Sequence, residues 1–189
     1  TSDNINGMQL AVDHLLRLGH TQIGYLSPQI GNYITQIRLN GFTQAIQQIS
    51  LQTDERHIMM ADDMSFSQES GHKLMLQLLA LPEPPTAVVC ASDAMAVGAL
   101  RAAESRGLTI PKDIAVVGFD DSILCDLTSP RLTSVRQDIE VIGEKTLEML
   151  ITMIEDPTYS PNETIMPTEL VIRESCGASG LNILTVSQG

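Results

Sequence analysis

The sequence predicts an α/β domain: a parallel sheet flanked by helices on both faces. Short β-type runs and amphipathic helical stretches alternate four times across the first two thirds of the chain, joined by short connections. The run Val88, Val89, Cys90 is apolar at successive positions rather than at every second one, as a strand covered on both faces requires. A length of 189 residues suits one ordinary domain with a buried core, or one complete domain and part of another.

The elements follow in order. Asp3 or Asn4 can cap a first helix over residues 5–18, whose Met8, Ala11, Val12, Leu15 and Leu16 keep a 3.6-residue period and which Gly19 can close in the left-handed conformation. A strand over 23–26 leads through a loop with Pro28 and Gly31 to a helix over 36–48. "HIMMA" is the next strand, 71–79 the next helix, and "LPEPPT" a proline-bounded loop into the strand at 87–91. Residues 93–106 form a helix of alanine, methionine and leucine closed by Gly107, and 115–119 another strand. "CDLTSPRLTSVRQD" is expected to be largely irregular, with a turn at Ser129-Pro130. A long helix over 139–154 carries Ile142, Leu147, Leu150, Ile151 and Ile154, "DPTYSPNE" is a loop, "TELVIRES" a final strand, and the tail from 178 frays.

Composition excludes several classes. With 43% hydrophobic and 18% charged residues the chain is neither disordered nor membrane-spanning, and its first residues resemble no secretory signal or transit peptide. A net charge of −12 opposes a polyanionic partner, because nucleic-acid affinity comes largely from lysine and arginine displacing counterions. Cys90, Cys125 and Cys176 are odd in number and lack CxxC spacing, which fits a reducing compartment better than a disulfide framework or a zinc cluster.

Catalytic motifs are missing: there is no GxSxG, HExxH, P-loop or GxGxxG after a strand. His14, His20, His57 and His72 are scattered, and His20 follows a helix end, where an imidazole meets terminal carbonyls. The sharper signal is that two apolar runs end abruptly in Ser92-Asp93 and in Asp120-Asp121-Ser122. In open α/β sheets ligands lie beyond the carboxyl ends of the strands, so these residues stand on a ligand-facing rim. Asp93 is either a helix cap or a ligand contact, and Asp120 either a ligand contact or a turn stabiliser. Arg38 is either a solvated or ion-paired arginine or a guanidinium fork reaching a ligand, and Phe66, in a polar loop, either a stacking wall or cover for the core edge.

At this point the residues carry a family resemblance. "DNINGMQLAVDHLLRLGHTQIGYL", "IRLNGFTQAI", "PTAVVCASDAMAVGALRAAESRGLTIPKDIAVVGFDDS", "SPRLTSVRQD" and "ELVIRESC", in this order over residues 3–177, resemble the second half of a LacI/GalR-family transcriptional repressor. Such repressors join a helix-turn-helix head and hinge helix to a two-subdomain, periplasmic-binding-protein-like (type I) core. The resemblance implies that residues 1–137 are the second α/β subdomain and that 138–166 are a crossover helix and loop packing on the first. It makes 167–177 a return strand and 178–189 a tail. The DNA-binding head and most of the first subdomain are then expected to be missing.

The same resemblance places Arg38, Phe66, Ser92, Asp93, Asp120, Ser122 and Gln137 on this half of an effector cleft, Arg38 and Asp120 as polar contacts, Phe66 as a wall and Gln137 at the hinge return. Ser92 stands where many relatives carry Asn, and Ile34 where sugar-responsive members often carry a smaller or polar residue. The implied protein is a bacterial, cytoplasmic, dimeric or higher-order regulator without enzymatic activity, cofactor, metal or membrane contact. Its effector is a carbohydrate or sugar acid, and it reaches operator DNA only through the missing head. Ligand-dependent closure of the subdomains then controls DNA binding. The alternative is a periplasmic sugar-binding protein of an uptake system, which shares the fold and cleft; an enzyme on the same scaffold comes third.

Overall fold

A computed structural model describes residues 1–48, 55–156 and 158–178. Helix α1 (Asn4–Arg17) is capped by the Asp3 carboxylate, which accepts the Asn6 N–H, and the chain turns away at Gly19 with φ of 94°. Strand β1 (Ile23–Ser27), helix α2 (Tyr33–Gln48), strand β2 (Ile58–Met60), helix α3 (Gln68–Leu78), strand β3 (Ala87–Cys90), helix α4 (Asp93–Ser105) and strand β4 (Ala115–Asp120) follow as the periodicity requires. The tail expected to fray lies, from residue 179 on, outside the described residues.

The six strands form one sheet in the order β2-β1-β3-β4-β5-β6, where β5 is Thr133–Gln137 and β6 is Thr168–Val171. Every residue of β1 and β3 is buried. Helices α1 and α2 pack on each other, as do α3 and α4, so two helical layers enclose the sheet. The core holds Met8, Leu15, Leu26, Phe42, Leu74 and Phe119, with Tyr25 stacked on Phe42 at 4.8 Å between ring centroids. Between α3 and α4 the backbones nearly touch: a Cβ on Gly98 would strike the Gln68 carbonyl, and one on Gly71 the Met95 carbonyl.

The expected parallel sheet is present over β1 to β5, with one refinement and one correction. The edge strand β6 runs antiparallel to β5. The last residue of β5 pairs with the first of β6, Gln137 with Thr168, since the chain leaves and re-enters the sheet at the same end. The passage expected to be irregular holds both β5 and a one-turn helix α5 (Leu124–Leu127). The polar look of β5 misled because its inward residues Thr133 and Ser134 are fully buried and satisfied by hydrogen bonds, so apolar periodicity never appears.

Helix α6 (Ile139–Glu155) stands apart, with no buried residue. Ile154 is 72% and Leu147 57% exposed, and Ile142, Leu150 and Met153 line a groove of about 370 Å³ facing Pro161 and Met166. No helix among the described residues is long and apolar enough to cross a membrane.

Candidate functional site

The carboxyl ends of β3, β4 and β5 meet in two adjoining polar clusters. The first is centred on Arg38, which α2 projects across the sheet end. The guanidinium lies 3.8 Å from the Phe119 ring centroid and divides its donors three ways. Nε donates to Asn4 Oδ1 at 2.9 Å, Nη1 to the Ala91 carbonyl at 2.5 Å and Nη2 to Asp120 Oδ1 at 3.2 Å. Gln137 Nε2 donates to the same Asp120 oxygen at 2.6 Å. Both bonds fall on Oδ1, which leaves Oδ2 to accept a further donor.

The two partners differ in exposure: the Arg38 side chain is 5% accessible and that of Asp120 31%. Burial pushes the Asp120 carboxyl up to about 6, helped by the neighbouring charge of Asp93 and opposed by Arg38 and the Gln137 hydrogen bond. Burial likewise lowers Arg38 from its ordinary value, opposed chiefly by Asp120.

Asp93 centres the second cluster. Its carboxylate accepts the Ser134 hydroxyl on one oxygen and the Ser122 N–H, at 2.6 Å, on the other. Gly118 makes room, since a Cβ there would collide with Asp93 Oδ1. Burial raises the Asp93 carboxyl above its usual range in spite of these bonds. The cap of α4 is Ser92 instead, whose hydroxyl accepts the Met95 N–H at 3.3 Å. Asp93 therefore takes the next position and ties the α4 start to the loop after β4. The Ser122 hydroxyl is itself buried without a hydrogen-bond partner.

Of the residues singled out in the sequence, the structure brings Arg38, Asp120 and Gln137 into direct contact and links Asp93 to Ser122, with Ser92 adjacent. Phe66, before α3, is half-buried and packs against the edge of the core. His20 meets no terminal carbonyl through its ring: Nδ1 lies 3.0 Å from the Thr86 hydroxyl. Sequence reasoning missed Ser134, Arg136 and Arg173, and read Asn4 only as an alternative cap. The one signal for Arg136 was its alternation with Val135 in "TSVRQ", too short to weigh.

These groups are fixed hydrogen-bond donors and acceptors. The cysteines are free and buried, and burial raises the Cys90 and Cys125 thiols, which opposes thiolate chemistry. Among the described residues no group of three or more potential ligands could hold a metal ion.

Comparison with known proteins agrees with this architecture. Residues 12–176 match the periplasmic binding protein-like domain. The chain is 36% identical over 176 residues to the HTH-type transcriptional repressor CytR of Escherichia coli K12, covering 93% of this chain and 51% of that protein. It is 34% identical over 178 residues to the probable HTH-type transcriptional repressor ExuR of Bacillus subtilis 168, covering 92% and 51%. It therefore spans about half the length of the curated relatives it matches. The solved structure of the CelR–cellobiose complex superposes with a TM-score of 0.86 at 33% identity over 92% of this chain and 52% of that one. A LacI family regulator from Enterococcus faecium with bound ribose gives 0.82 at 28% identity, over 92% and 63%. A domain match across nearly the whole chain, joined to regulator relatives in sequence and in structure, shows that this chain belongs to the periplasmic binding protein-like family and corresponds to part of the core of LacI/GalR-type regulators.

Proposed function

We propose that this chain is the effector-sensing half-cleft of a bacterial transcriptional repressor that binds a carbohydrate or a sugar acid. The observation that carries the reading is the Arg38–Asp120–Gln137 assembly at the ends of β4 and β5, where Asp120 keeps one oxygen free for a ligand hydroxyl. Arg38, Asp120 and Gln137 supply polar contacts, Phe66 an aromatic wall, and Ser92, Asp93 and Ser122 the remainder of the half-cleft. The cellobiose and ribose held by structural neighbours support a sugar-like ligand.

In this reading residues 1–137 form the second subdomain, and 138–166 cross to a first subdomain whose surface covers the apolar stripe of α6. Residues 167–177 bring the chain back as β6. Closure of the two subdomains over the effector transmits binding to an amino-terminal DNA-binding head in a cytoplasmic homodimer or higher oligomer. No bond is made or broken. The regulator relatives favour this over a periplasmic uptake role.

Calorimetric titration of a panel of neutral sugars, sugar acids and nucleosides into the longer protein tests the reading. Asp120→Ala should weaken the bound effector by about 1–3 kcal/mol, the worth of a hydrogen bond to a charged group. Unchanged affinity in both Asp120→Ala and Gln137→Ala would place the cleft elsewhere, and chemical conversion of the ligand would make the protein an enzyme.

A further inference from the structure

Asp121 lies between Asp120 and Ser122, and its side chain belongs to neither cluster. Its side chain is only 5% exposed, and each carboxylate oxygen is held by a different arginine. Arg136 Nε, on β5, donates to Oδ2 at 2.6 Å, and Arg173 Nη1, two residues past β6, donates to Oδ1 at 2.7 Å. The Asp121 N–H donates to Ser134 Oγ at 3.1 Å. The arginines are anchored in turn: Arg173 donates to Asp126 and to the Leu132 carbonyl, and Arg136 to Glu169 on β6.

The backbone explains why such anchoring is needed. Asp120 has φ of 118° and Asp121 φ of 52°, the only two non-glycine residues with positive φ among those described. Consecutive residues in sparsely populated conformations persist only where the surroundings over-determine them. Asp93 fixes the turn on its far side through the Ser122 N–H, and β4 fixes it on its near side. The rotation of the peptide between Asp120 and Asp121, which aims the Asp120 carboxylate, is held by the Asp121 N–H bond to Ser134 Oγ together with the two-arginine clamp on the Asp121 carboxylate.

We propose that Asp121 is a positioning residue: clamped by Arg136 and Arg173, it holds the left-handed turn that directs the Asp120 carboxylate onto Arg38 and Gln137. Its functional meaning rests on the reading of Asp120 as an effector contact. The positioning is read without an effector, so the two fail separately. Asp121 does not itself face the ligand; it ties the rim to β5 and β6, the strands on either side of α6.

The test follows the side-chain N–H signals of Arg38 and Gln137 by NMR of this chain against pH. Both donate to Asp120 Oδ1 and so report its titration; Arg38 and Asp93 are the charged groups acting on Asp120 besides. Asp120→Asn, the control, abolishes the pH-dependent component that belongs to Asp120. Asp121→Ala is expected to reduce that component at both signals by about threefold or more, since the carboxylate no longer meets its donors. Should that variant fail to fold, Asp121→Asn decides: asparagine tolerates positive φ but lacks the charge that holds two arginines, and about a twofold reduction is expected. Arg173→Lys should keep more of the component than Arg173→Met. A folded Asp121 variant with both titrations undiminished overturns the proposal and leaves Asp121 as a staple between strands.

Discussion

Arg38 shows how far a single side chain can be committed. Removing a guanidinium that serves Asn4, the Ala91 carbonyl and Asp120 strands three acceptors at once. Breaking a fully buried pair costs about 3–5 kcal/mol, but Asp120 keeps partial access to water, which returns some of that. Arg38→Met is therefore expected to lower the unfolding free energy by about 2–3 kcal/mol, read from urea denaturation. A loss under about 1 kcal/mol would mean that water replaces the guanidinium at all three acceptors. Asp120 adds a pH signature. Its carboxyl titrates near 6 in the fold, above the ~3.9 of an unfolded aspartate, so the native state holds the proton more tightly. The stability it contributes is complete below about pH 4 and is lost as pH rises through about 6. Comparing wild type with Asp120→Asn isolates this term from that of Asp93, and the difference should fall between pH 4 and 7 and then level off. A difference that stays constant, or grows with pH, would show that Arg38 outweighs burial.

At the scale of elements, the approach of α3 to α4 sets the layer beneath the site. Alanine is a better helix former than glycine by about 1 kcal/mol, so propensity alone says that Gly98→Ala stabilises. Packing says the reverse, because the new methyl meets backbone, the Gln68 carbonyl, which cannot rotate away. Overpacking of about 1–3 kcal/mol should win, and Gly98→Ala should unfold at lower urea than wild type. A rise in midpoint would mean that the two helices slide apart freely. The same α4 opens on Ser92 and Asp93, so a displaced helix should also disturb the Asp93 bonds to Ser134 and Ser122.

For the molecule as a whole, α6 and net charge decide what these residues do alone. Covering a large apolar side chain gains about 1.5–3 kcal/mol, which α6 does not collect while Ile139, Leu147, Leu150 and Ile154 remain exposed. Leu147→Ser should change the stability of this chain by less than about 0.5 kcal/mol, yet destabilise the longer protein measurably if a first subdomain covers the stripe. Equal effects in both would remove that subdomain from the account of α6. With a net charge of −12, these 189 residues are also expected to give no sequence-specific retardation of DNA at physiological salt; a specific shifted band would contradict this.

Helical periodicity by itself determined α1 to α4 and the long α6, and short apolar runs bounded by turn residues determined β1 to β4, because both signals are local and survive any packing. It also located the rim, since apolar strands that break into acids announce where the sheet ends. Only the tertiary structure decided β5, whose buried polar residues carry no apolar signal and are satisfied by Asp93, Arg173 and Ser175, up to 42 positions away. The direction of β6 was likewise invisible, because it depends on where α6 returns the chain. So were the division of labour between Ser92 and Asp93 and the clamp on Asp121. Hydrogen bonds between side chains distant in sequence follow from the fold, and their partners leave no periodic trace in the residues that make them.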